Sequence, residues 1–182
     1  MYDVIIIGAG PAGITAGLYT QRGNLKTLII HNGKTSLENA NKIENYYGFE
    51  NGINGEDLYK IGIKQAQNIG AEVIKDEVTN IQADYLNEKG HIFKVGTLNN
   101  EFEAKSVILA TGNKKNKPNI KNMDKYEGKG ISYCAICDGF FYRNKNVAII
   151  GNGDYAISEA IDLQNVVKSI TILTNGRQAP EY

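Results

Sequence analysis

The stretch Tyr2-Asp3-Val4-Ile5-Ile6-Ile7-Gly8-Ala9-Gly10-Pro11-Ala12-Gly13 sets an apolar, β-branched run directly against a glycine turn. The run alternates little, so it reads as a strand buried on both faces of a parallel sheet. Pro11 then opens a helix to about Arg22, with Ala12, Ala16, Leu18 and Tyr19 as its apolar positions. Gly23-Asn24 ends that helix as a left-handed cap would, and Lys26 to Ile30 forms a second strand. The result is a βαβ unit of about 30 residues, the context in which a glycine fingerprint acquires meaning. Gly8 permits the tight turn, Gly10 lets a pyrophosphate approach the backbone, and Gly13 lets helix and strand pack closely. The helix start supplies N–H groups and a positive dipole end for phosphates. The acid expected after the second strand, for ribose hydroxyls, is replaced by His31-Asn32-Gly33. There Asn32 is a candidate ribose contact and His31 reads as a surface residue.

Lys34 to Phe49 is polar and irregular, ending in Glu44-Asn45-Tyr46-Tyr47-Gly48-Phe49. It reads either as a cover for a bound molecule or as a long surface loop. Gly55 to Gly70 has helical periodicity, with Leu58, Ile61, Ile63, Ala66 and Ile69 on its apolar side. Four strands are expected next, at Glu72 to Lys75, Thr79 to Tyr85, Ile92 to Val95 and Glu101 to Leu109. The hairpin signals Asn87-Glu88-Lys89-Gly90 and Thr97-Leu98-Asn99-Asn100 predict a small antiparallel β-insert. The run Val107 to Ala110 meets a second turn at Thr111-Gly112. The polar stretch Asn113-Lys114-Lys115-Asn116-Lys117-Pro118 marks a domain boundary, giving units 1–113 and 114–182. In the second unit, Asn146 to Ile150, Gly151-Asn152-Gly153, a helix from Asp154 to Val166 and Ser169 to Leu173 repeat the opening βαβ.

The totals bound the function. The chain has 182 residues, with 20 Lys+Arg against 20 Asp+Glu, and this balance argues against nucleic acid as partner. Hydrophobic content is 42%, yet no apolar run approaches the ~20 residues of a membrane span, so no membrane partner is expected. Met1-Tyr2-Asp3 lacks a basic leader, which points to the cytoplasm. In that compartment two cysteines spaced as Cys134-Ala135-Ile136-Cys137 favour a redox pair over a structural bridge. Zinc would need a second ligand pair, and none has the spacing, so no metal site is expected. Inert packing of the cysteines is the bland alternative. Asp138-Gly139 predicts a turn opening a short helix after the pair, with Asp138 placed to move the proton that thiol–disulfide exchange requires. A dithiol accepts hydride poorly, and a flavin between nicotinamide and disulfide solves that problem.

Taken together, Gly8-Ala9-Gly10-Pro11-Ala12-Gly13, Glu44-Asn45-Tyr46, Ala110-Thr111-Gly112, Cys134-Ala135-Ile136-Cys137-Asp138-Gly139-Phe140-Phe141-Tyr142 and Gly151-x-Gly153-x-x-Ala156 occur in the order seen in bacterial-type, low-molecular-weight thioredoxin reductases. The chain resembles that family over essentially its whole length. The resemblance implies an α/β protein of two Rossmann-like, doubly wound domains, the second incomplete here. It implies FAD at the first fingerprint (Gly8, Gly10, Pro11, Ala12 and Gly13), with Asn45, Thr111 and Gly112 nearby. It implies NAD(P)H at Gly151, Gly153 and Ala156. Cys137 would face the flavin, Cys134 would exchange with a thioredoxin-like protein, and Asp138 would be the acid–base group. In such enzymes the second domain rotates to serve nicotinamide and dithiol in turn. Lys129, Phe140 and Phe141 match positions that dock the thioredoxin, and the full-length protein would be a homodimer. Two departures stand out. The arginines that hold the 2′-phosphate of NADPH are replaced by Thr174-Asn175-Gly176-Arg177, so NADH or ferredoxin become alternative donors. The segment that completes the flavin site in the family is not present, so residues 1–182 alone are not expected to turn over. A non-enzymatic FAD/NAD redox sensor using the same dithiol is the other class of reading.

Overall fold

The structure is a computed structural model describing residues 1–85, 90–113 and 117–178. The turn Asn87-Glu88-Lys89-Gly90 and the boundary stretch Asn113 to Pro118 fall largely outside the described residues. The chain forms two compact units, Met1–Lys114 and Lys115–Tyr182.

The first unit contains β1 (Tyr2–Ile7), α1 (Pro11–Arg22), β2 (Thr27–His31), a 3₁₀ turn (Ser36–Asn39) and α2 (Gly55–Asn68). Four strands follow: β3 (Glu72–Lys75), β4 (Val78–Asp84), β5 (Ile92–Thr97) and β6 (Glu101–Leu109). They make one six-stranded sheet in the order β3-β2-β1-β6-β5-β4. Strands β3, β2, β1 and β6 are parallel, with Ile7 opposite Ile30 on one side and Leu109 on the other. Strands β6, β5 and β4 are antiparallel. The antiparallel insert is therefore continuous with the parallel sheet through β6. Its first half pairs with β5, its second half with β1, and Ala104 belongs to both registers.

Burial on two faces explains the unbroken apolar run of β1. Val4 and Ile6 join Ile14, Ile29 and Ala66 in one cluster on the side of α1 and α2. Ile5 and Ile7 join Leu28, Ile30, Val95 and Ala104 in the other, so the antiparallel strands cover the opposite face. Removing such side chains from water is the main stabilisation available to the unit, about 25 cal/mol per Å2 of apolar area.

The contact face of α1 differs from its expected apolar positions. The buried residues are Gly13, Ile14 and Gly17, while Ala12 and Tyr19 are exposed and Ala16 and Leu18 are half-buried. Close approach to the sheet selects small residues here. A Cβ at Gly13 would lie 1.9 Å from the Gly8 carbonyl oxygen, and one at Gly17 2.6 Å from Ile29 Cδ1. The left-handed residue after α1 is Asn24 (φ 59°); Gly23 has φ −78°. Asn54 caps α2 by accepting from Glu56 N–H at 2.8 Å. Ala66 is fully buried, but Ile61 and Ile69 are exposed, because α2 meets α1 where Gly62 faces Ile14.

Asp76 fixes the β5–β6 hairpin. It is only 8% exposed, and its carboxylate accepts from Thr97 Oγ1 at 2.7 Å, Asn99 Nδ2 at 3.1 Å and Glu77 N–H at 2.8 Å. These donors, Thr97 foremost, hold its pKa below the ordinary aspartate value.

The second unit contains α3 (Met123–Tyr126), α4 (Ala135–Asp138), a 3₁₀ turn (Gly139–Tyr142), β7 (Asn146–Ile150), α5 (Asp154–Leu163) and β8 (Ser169–Leu173). Strands β7 and β8 are parallel, with Ile150 opposite Leu173. Helix α5 stops at Leu163 rather than Val166; there the Gln164 and Val166 N–H groups bond only three residues back, to the Ile161 and Leu163 carbonyls, a 3₁₀-type tightening. Ala156 and Leu163 are its buried residues, and Ile161 is exposed. No helix among the described residues is long and apolar enough to cross a membrane.

Two stability measurements check this account. Gly13→Ala is expected to lose about 3 kcal/mol in urea unfolding, because backbone blocks the new methyl group. Gly10→Ala should lose about 1 kcal/mol or less, since nothing lies within 4 Å of a Cβ there. Asp76→Asn should lower the urea midpoint at pH 7. A depressed folded pKa stabilises in full above the unfolded value of ~3.9. The gap from wild type should therefore close as pH falls through the lower, folded value.

Candidate functional site

The first unit gathers its glycine turn around one backbone crossing. Gly8 has φ +110°, and a Cβ there would lie 2.2 Å from the Ala110 carbonyl oxygen and 3.3 Å from Thr111 N. The Ala110 N–H donates to Ile7 C=O at 2.8 Å, which fixes Thr111 and Gly112 beside the end of β1. Both are exposed, and Gly112 has φ +74°. Gly10 is the N-cap of α1; no side chain caps the helix and no acid occupies its first turn. Pro11 and Ala12 are exposed on that turn. The backbone at Gly10 is open and next to uncapped helix amides, an arrangement suited to a diphosphate.

The loop carrying Asn45 is pinned by the Ile43–Ile53 backbone pair (2.8 and 3.0 Å) and by Gly55 N–H donating to Ala40 C=O at 2.8 Å. Asn45 is exposed. Its neighbours Tyr46 and Phe49 line a hollow with Ala9, Gly10, Pro11 and Ile14. The two aromatics thus stand beside the glycine turn, while Asn45 itself does not line the hollow.

The end of β2 differs from expectation. His31 is half-buried: its Nδ1 accepts from Gly33 N–H at 3.1 Å and lies 2.8 Å from Tyr59 Oη. With Nδ1 an acceptor, the ring proton sits on Nε2. Burial, and secondarily the charge of Lys75, lowers the His31 pKa and keeps the ring neutral. Asn32 spends its Oδ1 locally, accepting from Lys34 N–H at 3.1 Å.

In the second unit Cys134 and Cys137 form a disulfide, with Cα atoms 5.3 Å apart. The short helix contains the pair instead of following it. Cys134 is the N-cap of α4, its Sγ accepting from Cys137 N–H at 3.2 Å. The three-residue separation, close to one helical turn, is what brings the sulfurs together. Cys137 is exposed and Cys134 half-buried. Asp138 accepts from Ser132 Oγ at 2.5 Å, and the same Oγ accepts from Cys134 N–H at 3.1 Å. Ser132 therefore ties the carboxylate to the backbone of the disulfide. Nothing in the sequence pattern marked it. Burial, and then the Asp138 charge, raises the Tyr142 pKa. Ile136, Phe140 and Phe141 are exposed at 74%, 65% and 50%, with Arg143 standing 4.8 Å over the Phe140 ring. Lys129 is exposed in the turn before them.

The second glycine turn uses the first one's device. A Cβ at Gly151 would lie 3.0 Å from Ala156 Cβ, so strand and helix meet there, and Ala156 is buried. Gly153 is the N-cap of α5, open and without a side-chain cap, but Asp154 brings an acid to the first turn. After β8 the chain turns through Asn175 (φ 53°) and Gly176 (φ 73°), with Arg177 exposed.

Comparison with known proteins matches this arrangement. The family model for pyridine nucleotide-disulphide oxidoreductases aligns with residues 2–180. Thioredoxin reductase of Streptomyces coelicolor is 42% identical over 94% of this chain and 53% of its own length. That of Helicobacter pylori is 41% identical over 95% of this chain and 55% of its own. The crystal structure of thioredoxin reductase from Streptococcus pyogenes superposes with a TM-score of 0.83 at 37% identity, covering 98% of this chain and 57% of that one. The chain spans about half the length of the curated relatives it matches. With a disulfide-bearing helix beside a second open glycine turn, and similarity to thioredoxin reductases along nearly all its residues, the chain belongs to the pyridine nucleotide-disulphide oxidoreductase family.

Proposed function

We propose that this chain is the FAD- and NAD(P)-binding part of a flavin-dependent disulfide reductase of thioredoxin-reductase type. It would act with a thioredoxin-like protein in the cytoplasm, as a homodimer when full length. The observation that carries the reading is the Cys134–Cys137 disulfide at the head of α4, with Asp138 tethered beside it through Ser132. Residues 1–113 would hold FAD, and 114–182 would hold the nicotinamide cofactor and the dithiol.

The residues at the first turn fit FAD. Gly8 and Gly13 bring strand and helix together, Gly10 leaves the backbone open, and Pro11 and Ala12 start the uncapped helix. Asn45, Thr111 and Gly112 would complete the contact set. When bound, FAD would supply the two-electron carrier between a hydride donor and the disulfide. Gly151, Gly153 and Ala156 fit the diphosphate of NAD(P)H in the same manner. The 2′-phosphate has only Arg177 in the loop after β8, next to Thr174, Asn175 and Gly176. Asp154 adds a negative charge at the helix start.

The roles of the two sulfurs are those that the family resemblance implies, although Cys137 is the exposed one and Cys134 is half-buried. In the dithiol state Cys134 Sγ attacks one sulfur of the partner disulfide and forms a mixed disulfide; the other partner sulfur leaves as a thiolate. Cys137 Sγ then attacks Cys134 Sγ, breaks the mixed disulfide, and restores the Cys134–Cys137 bond. Two electrons pass to the partner. Asp138 holds and returns the proton that each thiolate gains or loses, with Ser132 fixing the carboxylate. Exposed Ile136, Phe140 and Phe141, with Lys129 nearby in sequence, would supply the apolar contact to the partner.

Cys137→Ser tests the assignment of the sulfurs. Mixed with an oxidised thioredoxin, it should accumulate a covalent complex on non-reducing electrophoresis, because the resolving sulfur is gone. Cys134→Ser should form little or none. The opposite pattern would reverse the roles, and no complex with either variant would refute the exchange reaction. For the donor, anaerobic titration of the flavin-loaded protein with NADPH, NADH or reduced ferredoxin should show less than about tenfold preference for NADPH over NADH, given the absent arginine pair. Strong selection for NADPH would place the phosphate contact elsewhere. Bleaching by ferredoxin alone would assign the chain to a ferredoxin-dependent relative.

A further inference from the structure

One stripe of α5 grips the disulfide segment. Tyr155, Glu159 and Leu163 are four residues apart and share a helix face. Tyr155 Oη donates to the Tyr133 carbonyl at 3.2 Å, on the N-terminal side of Cys134. The Ala135 N–H, on its C-terminal side, donates to Glu159 Oε2 at 2.5 Å. Leu163 Cδ2 lies 2.9 Å from where a Cβ on Gly139 would stand. The peptide units on both sides of Cys134 are thus held by the helix whose first residue follows the open Gly153 turn.

Resting on the reductase reading above, we infer that Glu159 is a positioning residue that makes the Cys134–Cys137 pair a strong electron donor. The disulfide carries no charge and is indifferent to a neighbouring carboxylate. The reduced pair is not: a Cys134 thiolate would lie within roughly 7 Å of Glu159, since Ala135 N is four covalent bonds from Cys134 Sγ. Like charges at that distance disfavour the thiolate. A couple whose reduced form is destabilised gives its electrons away, the reverse of a strongly oxidising pair whose reduced form is stabilised. Glu159 accomplishes this without loosening the site, because the same carboxylate serves as the acceptor for a backbone N–H. The other titratable or charged groups around the pair are Asp138 on α4, Tyr142 and Arg143 after it, Tyr133 before it, Tyr155 on α5, and Lys117 over the Tyr133 ring. Burial foremost holds Tyr142 and Tyr155 above the ordinary tyrosine value, so both stay neutral where thiols ionise. Asp138 adds a second negative charge, from the far side of the helix turn.

The test is the thiol–disulfide equilibrium of the full chain with reduced and oxidised dithiothreitol at pH 6 and pH 9, read by acid quench, alkylation and mass spectrometry. The disulfide takes two electrons from the dithiol reagent, which closes to its cyclic disulfide. Glu159→Gln keeps an oxygen acceptor and removes the charge. It should shift the equilibrium toward the protein dithiol by about fivefold at pH 9, because a thiol of ordinary pKa near ~8.5 is only partly ionised there and caps the full charge effect. At pH 6, where the thiols are protonated, the shift should shrink toward unity. Glu159→Asp, which keeps the charge, should stay near wild type at both values. Equal shifts at pH 6 and pH 9, or none at pH 9, would overturn the inference, since a merely structural contact acts without regard to thiol ionisation. A wild-type pair that never interconverts reversibly would sink the reductase reading, and this inference with it.

Discussion

Backbone contact between the end of β1 and the start of α1 is the constraint on which the first unit depends. The Gly8 carbonyl stands where a Cβ on Gly13 would be, and the Ala110 carbonyl where one on Gly8 would be. The end of β1, the start of α1 and the distant Ala110 segment therefore meet at one point, with only the Ala110 methyl group beside the backbone. Two consequences follow from that crossing. Helix α1 lies close enough to the sheet for Ile14 to join Val4, Ile6 and Ile29 in a core cluster. The first helical turn is also pushed up beside Thr111 and Gly112, with Gly10 left bare at its tip. Stability and ligand access are thus set by adjacent glycines with opposite surroundings, one packed against backbone and one facing open space.

The second unit repeats the device with looser tolerance. Gly151 meets a methyl group, Ala156 Cβ, rather than a carbonyl oxygen. Strand and helix can stand slightly further apart, and α5 is free to do a second job along its length. The face that runs from Tyr155 to Leu163 carries the disulfide segment, while the helix start carries the glycine turn. One rigid element therefore bears both features of this unit, which fixes the spacing between them more firmly than a loop would.

Much of this was legible in the sequence where local chemistry decides the outcome. The β-branched run ending at Gly8, Pro11 at the first helical position and the Thr97–Asn100 turn each act through their own backbone, and each element appears where its residues predict. What sequence could not supply is contact at long range. Tyr19 and Ile61 are apolar and periodic, yet both face solvent, because glycines at 13, 17 and 62 decide which side of each helix approaches its neighbour. His31 looked like an isolated surface histidine until the fold brought Tyr59 to its Nδ1, 28 positions away. Ser132 and Glu159 carry no motif. A serine two residues before a cysteine and a glutamate midway along a helix are ordinary in sequence, and only the folded unit places them at either end of the Cys134 peptide. The helix expected after the cysteines was displaced by the same cause. Cys134 Sγ caps its own turn, so the pair opens the helix that Asp138 closes.

The charges around the two candidate sites point in opposite directions, and that asymmetry bears on how electrons would flow. The first glycine turn has no acid in its helix start, and a neutral His31, with Lys75 of β3 beside it, ends β2 where an acid for ribose hydroxyls is expected. A diphosphate cofactor bound there would meet no opposing charge. The second turn has Asp154 in its first turn and Arg177 as the lone cation of the loop after β8. The two helix starts therefore differ by one negative charge, Asp154. The disulfide segment in turn lies between two carboxylates, Asp138 and Glu159. Negative surroundings oppose a thiolate and so favour handing electrons on over keeping them.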